Sequence, residues 1–297
     1  MNASNDYAFT IDKQEMRQAF DAVADGYEEH AVLQNTVMQR VLERLDLINL
    51  QVRHILDLGS GTGTASRLLA QRYNKAQVIQ LDVSTAMLRI SRARGPRFFS
   101  RQGYLCADAE MLPVAGSAVD LVFSSLMLQW CNDLDAAFAE AARVLRPGGL
   151  FIFATLGPDT LRELRASWAG ADNKVHVNAF MDMHDVGDAL IRAGLADPVL
   201  DVERLTLTYD DGYRLMRELK YLGAHNVNVG RRKTLTGKRR MLDMLAAYEQ
   251  FRQEGRLPAT YEVVYGHAWM LDRTPVRAGV NRPVSIPVAS IRRRRSN

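Results

Sequence analysis

The stretch Ile55-Leu56-Asp57-Leu58-Gly59-Ser60-Gly61-Thr62-Gly63-Thr64 reads as a short apolar strand running into a glycine-rich turn, with a helix over 65–72 behind it. Glycine tolerates positive φ and carries no Cβ, so such a turn lets backbone come close to a ligand. The N–H groups that open the following helix have no intrahelical partner and point at whatever sits in the turn. The spacing excludes one kind of nucleotide site. A dinucleotide fingerprint, G-x-G-x-x-G, needs a third glycine where Thr64 stands.

A second acid completes the pattern. Gln77-Val78-Ile79-Gln80-Leu81-Asp82 is a β-branched and apolar run that ends in a carboxylate. An acid roughly 20 residues past the glycine turn, at the end of the next parallel strand, accepts ribose hydroxyls. Ser84 can cap the helix that follows, which leaves Asp82 for a ligand. Further strands are expected ahead of Asp108 in the segment 104–113, over 119–130 together with its exit loop, and over 150–155, with a helix over 133–145 between the last two and the turn Arg146-Pro147-Gly148-Gly149 after it. Repeated βα units of this kind imply a parallel sheet covered on both faces. Ligands of such sheets sit outside the carboxyl ends of the strands, so the exit of the fourth strand, Ser124 to Trp130, is expected to line the site.

Upstream, positions 13–47 keep helical apolar spacing with a break near Gly26, and this piece is expected to close over the site as a lid. Tyr27 and Gln34 are its candidates to touch a ligand. Downstream, Leu156 to Arg165 opens a helix that Asp159 can cap. Strands are expected over 198–207 and, antiparallel, over 260–269, with a largely helical insertion between them. That insertion carries the basic clusters 231–233 and 238–240.

The chain has 297 residues and a formal net charge of +4. That length suits two small domains or one decorated α/β domain. The residues from 271 to 297 hold seven Arg and one Asp, a net of +6, and leave −2 for the rest. This tail, with three prolines and a terminal Arg run, reads as disordered, so a high pI is no evidence for nucleic acid. Neither base-stacking aromatics nor a basic stripe accompany it. The start is polar rather than signal-like, no apolar run approaches the ~20 residues of a membrane helix, and the two cysteines form no disulfide framework or zinc spacing. A cytoplasmic protein without metal is expected, its six histidines being dispersed.

The D-x-G-x-G-x-G pattern of Asp57, Gly59, Gly61 and Gly63 resembles motif I of the class I S-adenosylmethionine (SAM) methyltransferases. Asp108 and Ala109 resemble the positions that in those enzymes meet the adenine ring. The resemblance sharpens in LGPDTLRELR (156–165), HVNAFMDMHDVGDAL (176–190), LKYLGAHNVN (219–228), RRKTLTGKRR (231–240) and ATYEVVYGHAW (259–269), which are similar to the malonyl-[acyl-carrier protein] O-methyltransferases of biotin synthesis. The fold implied is a Rossmann-like, seven-stranded, mostly parallel sheet with helices on both faces. Its domains would be an N-terminal helical lid (1–50), a methyltransferase domain (51–270) with a substrate-side insertion over about 210–258, and the basic tail (271–297).

The resemblance implies SAM as cofactor and S-adenosylhomocysteine as product, held by Tyr27, Gln34, Asp57, Gly59, Ser60, Gly61, Gly63, Asp82, Val83, Asp108, Ala109, Ser124 and Ser125. The substrate implied is the free carboxylate of malonyl-acyl carrier protein or malonyl-CoA, with Tyr27, Trp130, Arg162, His176 and Asn178 as its candidate contacts. A carboxylate is already ionised near pH 7, so no acid–base catalyst is expected. The basic clusters would steer an acidic carrier. Two alternatives stay open: a methyltransferase for another small carboxylic acid, and a protein akin to the mitochondrial complex I assembly factors, which resemble the same C-terminal pattern.

Overall fold

The computed structural model describes residues 10–96, 101–172, 174–224, 226–231 and 237–271. The basic tail from 272 onward, Arg232, Lys233 and His225 lie outside the described residues. Seven strands form one sheet: β1 (His54–Leu58), β2 (Gln77–Asp82), β3 (Gln102–Cys106), β4 (Val119–Ser125), β5 (Leu145–Leu156), β6 (Leu195–Tyr209) and β7 (Leu257–Met270), in the order β3-β2-β1-β4-β5-β7-β6. All neighbours are parallel except β7, which runs antiparallel to both β5 and β6. The order reverses between β1 and β4, so the crevice of a doubly wound sheet opens at the ends of β1 and β4.

Alternation explains why both faces are covered. Ile55, Leu121, Phe123, Leu150 and Ile152 bury into one layer, while Leu56, Leu58, Val122, Phe151 and Phe153 bury into the other. Short helices fill the connections: α1 (Lys13–Val23), α2 (Tyr27–His30) and α3 (Val32–Arg44) before the sheet, then α4 (Thr64–Arg72), α5 (Thr85–Arg94), α6 (Leu134–Val144), α7 (Arg162–Ala169), α8 (Met183–Arg192), α9 (Gly212–Tyr221) and α10 (Lys238–Glu249). Side-chain caps start several of them. Ser84 accepts the Met87 N–H and Asp133 the Ala136 N–H.

Two local expectations need correction. Asp159 does not cap α7: the residue before that helix is Leu161 at φ 53°, and the Asp159 carboxylate bonds Arg204 instead, at 3.0 Å. Arg231 is not part of an open basic rim, because its guanidinium pairs with Glu15 of α1. Among the described residues, no helix is long and apolar enough to cross a membrane.

Candidate functional site

A cavity of about 300 Å³ lies over the ends of β1, β2 and β4, roofed by α1, α2, α9 and Met241 of α10. The glycine turn forms its floor. Gly59 and Ser60 both donate backbone N–H to the Leu81 carbonyl, at 2.8 and 3.0 Å, which pins the turn to β2. Gly59, Gly61 and Gly63 all take positive φ, yet they differ in what a side chain would meet. A Cβ on Gly59 would lie 2.2 Å from Met127, and one on Gly63 1.9 Å from the Ser91 hydroxyl. A Cβ on Gly61 would meet nothing within 4 Å. Gly59 and Gly63 therefore serve close packing, and Gly61 leaves backbone open to the cavity.

Asp82 sits at the end of β2. Its carboxylate accepts the Gly61 N–H at 2.8 Å and the Ser84 N–H at 2.9 Å, and burial pushes its pKa above the ordinary range. Asp57 lies beneath the turn at 2 % exposure, bonded to the Ser66 hydroxyl, and burial pushes it up to about 7. Tyr27 lies across the cavity; burial, reinforced by the Asp82 charge, keeps its phenol protonated as a donor.

Of the residues expected around a cofactor, Tyr27, Gln34, Gly59, Gly61, Asp82, Val83, Asp108, Ala109 and Ser125 line the cavity. Asp57, Ser60, Gly63 and Ser124 stand behind that wall. Ser124 donates to the Leu58 carbonyl at 2.9 Å and is fully buried, so it braces β1 against β4. Trp130, His176 and Asn178 also line it, with Trp130 edge-on to Phe20 at 5.3 Å. Arg162 does not line the cavity: its side chain is 56 % exposed and turns to Glu163 at 3.2 Å.

Several lining groups were not expected. Lys13 reaches Asp108 at 3.1 Å and Glu110 at 2.9 Å, tying α1 to the loop after β3. Trp168 and Asp172 flank His176. Asn178 accepts from Asn228, which also bonds Asn226, so two segments about fifty residues apart in the chain are hydrogen-bonded to each other. A patterned residue hints at none of these pairings, which span up to about a hundred residues of chain.

The cavity fits a SAM-sized ligand on observations of its own. The Gly61 backbone is open, the Asp82 carboxylate ends β2, and the buried Gln34 Oε1 has no hydrogen-bond partner. Cys131 lines the cavity, but burial pushes its thiol up to about 12, which makes it no nucleophile at neutral pH. Among the described residues no group of three or more His, Cys, Asp or Glu could hold a metal.

Comparison with known proteins agrees with this geometry. Residues 56–153 match the family model described as a methyltransferase domain. A malonyl-[acyl-carrier protein] O-methyltransferase of Gallionella capsiferriformans is 52% identical, over 88% of this chain and 92% of its own length. One of Laribacter hongkongensis is 53% identical, over 91% and 93%. A solved SAM-dependent methyltransferase of Thermotoga maritima shares the fold at a TM-score of 0.51 and 18% identity, covering 86% of this chain and 99% of its own. With half of all positions shared along nearly the whole of both chains, this protein belongs to the malonyl-[acyl-carrier protein] O-methyltransferase family of class I SAM-dependent methyltransferases.

Proposed function

We propose that the protein transfers the SAM methyl to the free carboxylate of a malonyl group carried as a thioester by acyl carrier protein, giving the methyl ester that primes pimeloyl synthesis for biotin. The observation that carries this reading is one cavity lined both by the glycine turn, Asp82 and Asp108 and by Leu164, Trp168, His176, Asn178, Met241 and Tyr261. The kinship with enzymes of that name supports it.

The orphaned Gln34 oxygen suits the amino group of SAM, and the lack of a Cβ at Gly61 lets a ligand approach the turn. Asp82 suits the ribose hydroxyls, and Val83, Asp108 and Ala109 the adenine. SAM bound there supplies a methyl on a positively charged sulfur, which an oxygen nucleophile takes by in-line displacement, leaving S-adenosylhomocysteine. The carboxylate is ionised already, so the chain needs to hold it and exclude water rather than deprotonate it. The N-terminal helices, α9 and Met241 of α10 act as the roof that does so. Cys106 and Cys131 are free, which suits a reducing, cytoplasmic setting.

The test is mass spectrometry of the protein with SAM and malonyl-, acetyl- or succinyl-acyl carrier protein. Gain of one methyl group on the malonyl species alone is the expected result. No gain there, with SAM binding measured separately, overturns the reading.

A further inference from the structure

A carboxylate drawn into a largely apolar cavity needs a cationic or strong donor partner. Two basic side chains line this cavity among the described residues, Lys13 and His176. Lys13 is already committed to Asp108 and Glu110, at about 3 Å from each. His176 is held differently. Its Nε2 lies 2.7 Å from Asp172 Oδ1, and its ring stacks on the Trp168 indole at 3.8 Å and 5°. Both partners of the pair are well covered, with side-chain exposures of 13% and 9%. The Lys174 N–H also bonds Asp172 Oδ1, at 3.0 Å, which fixes the carboxylate that orients the imidazole.

We infer that His176, oriented by Asp172 and stacked on Trp168, is the single-point receptor for the substrate's free carboxylate. This rests on the malonyl reading and names the residue that makes it specific. With Nε2 turned to Asp172, the ring has one nitrogen left, Nδ1, for the substrate. It grips one carboxylate oxygen and leaves the lone pairs of the other for the methyl carbon. A bidentate arginine would occupy both oxygens, and Arg162 stands outside the cavity. In the transfer, the new O–CH₃ bond forms as the C–S bond breaks, and the negative charge on the carboxylate and the positive charge on sulfur both disappear. His176 then faces a neutral ester, so the receptor holds substrate and releases product. Asn178, its amide oriented by Asn228, is placed beside it as a second donor.

The test uses the full chain with SAM, comparing the wild type with His176→Gln and Asp172→Asn on malonyl-CoA and malonyl-acyl carrier protein. His176→Gln is expected to raise KM for both substrates at least about tenfold, the loss of one charge-assisted bond. SAM affinity, measured by calorimetry, is expected to stay unchanged. Asp172→Asn, which loosens the ring from its anchor, is expected to raise KM for both substrates in the same direction with SAM affinity unchanged, a split that loss of packing alone would not produce. His176→Gln with wild-type KM overturns the inference while leaving the malonyl reading intact. If that variant fails to fold, Asp172→Asn with wild-type KM overturns it equally. A wild type that methylates no malonyl thioester overturns the reading beneath it.

Discussion

Single residues of the glycine turn divide between fold and ligand, and substitution separates them. Gly59→Ala drives a methyl into Met127 at positive φ, so a stability loss of about 1–3 kcal/mol from overpacking is expected, with backbone strain added. Gly61→Ala meets open space, so it should cost only the ~1–2 kcal/mol of left-handed strain while SAM affinity falls. Thermal melts beside SAM titration check both; equal SAM losses at equal stability would refute the division. Asp57 gives a pH signature. Its folded pKa is raised by burial from 3.8 to about 7, so its stabilising contribution is full below 3.8 and lost as pH rises through 7. The ligand-free protein should therefore melt lower across that window, and Asp57→Asn, which keeps an oxygen for Ser66, should flatten the curve. Such roles are only partly legible in sequence. The glycines and Asp82 sit at fixed offsets along one βα unit. Arg162 looked a fair carboxylate ligand, but which way a long side chain turns from its helix depends on Glu163 and on neighbours distant in the chain.

Short strands kept close to the reading and long ones overran it. β1 and β2 are short apolar runs between turn residues and lie near their expected bounds, whereas β5 and β7, though largely buried, start several residues earlier than expected. β6 runs longer than expected at both ends, because an edge strand alternates charged and apolar residues and breaks register between Ala196 and Val199. The link between α2 and the turn was invisible. Glu28 accepts from Thr62 and Thr64, at 2.6 and 3.1 Å, and pairs with Arg67 and Arg94. Partial burial opposes its charge, but those hydroxyls and guanidiniums hold its carboxyl below the usual range. A lowered carboxylate stabilises at neutral pH and loses that contribution as pH falls through its folded value. The N-terminal helices should thus loosen in acid. Glu28→Gln should loosen them at neutral pH by up to ~1 kcal/mol after solvent screening. Limited proteolysis of residues 10–44 reads this directly; unchanged cleavage in the variant would show that the latch is dispensable.

At the scale of the whole molecule, the question is how a carrier protein presents its thioester to an enclosed cavity. Lys238, Arg239 and Arg240 occupy the first turn of α10, whose start at Gly237 has no side-chain cap. Cations there oppose the helix dipole, typically by 0.3–1 kcal/mol each, so folding alone gives no reason for three together. Met241, directly after them, lines the cavity, and Lys238 and Arg239 are exposed. This places positive charge beside the cavity, where an acidic carrier would be steered. Lys238→Glu with Arg239→Glu should raise KM for malonyl-acyl carrier protein about tenfold or more at low salt, with the gap narrowing as salt screens the encounter. KM for malonyl-CoA, which carries no protein surface, should move far less. Acidic residues favour a helix start, so the double variant should melt no lower than the wild type, and a KM effect could not be blamed on unfolding. Equal changes for both substrates would instead assign these cations to the phosphates that the carrier arm and CoA share.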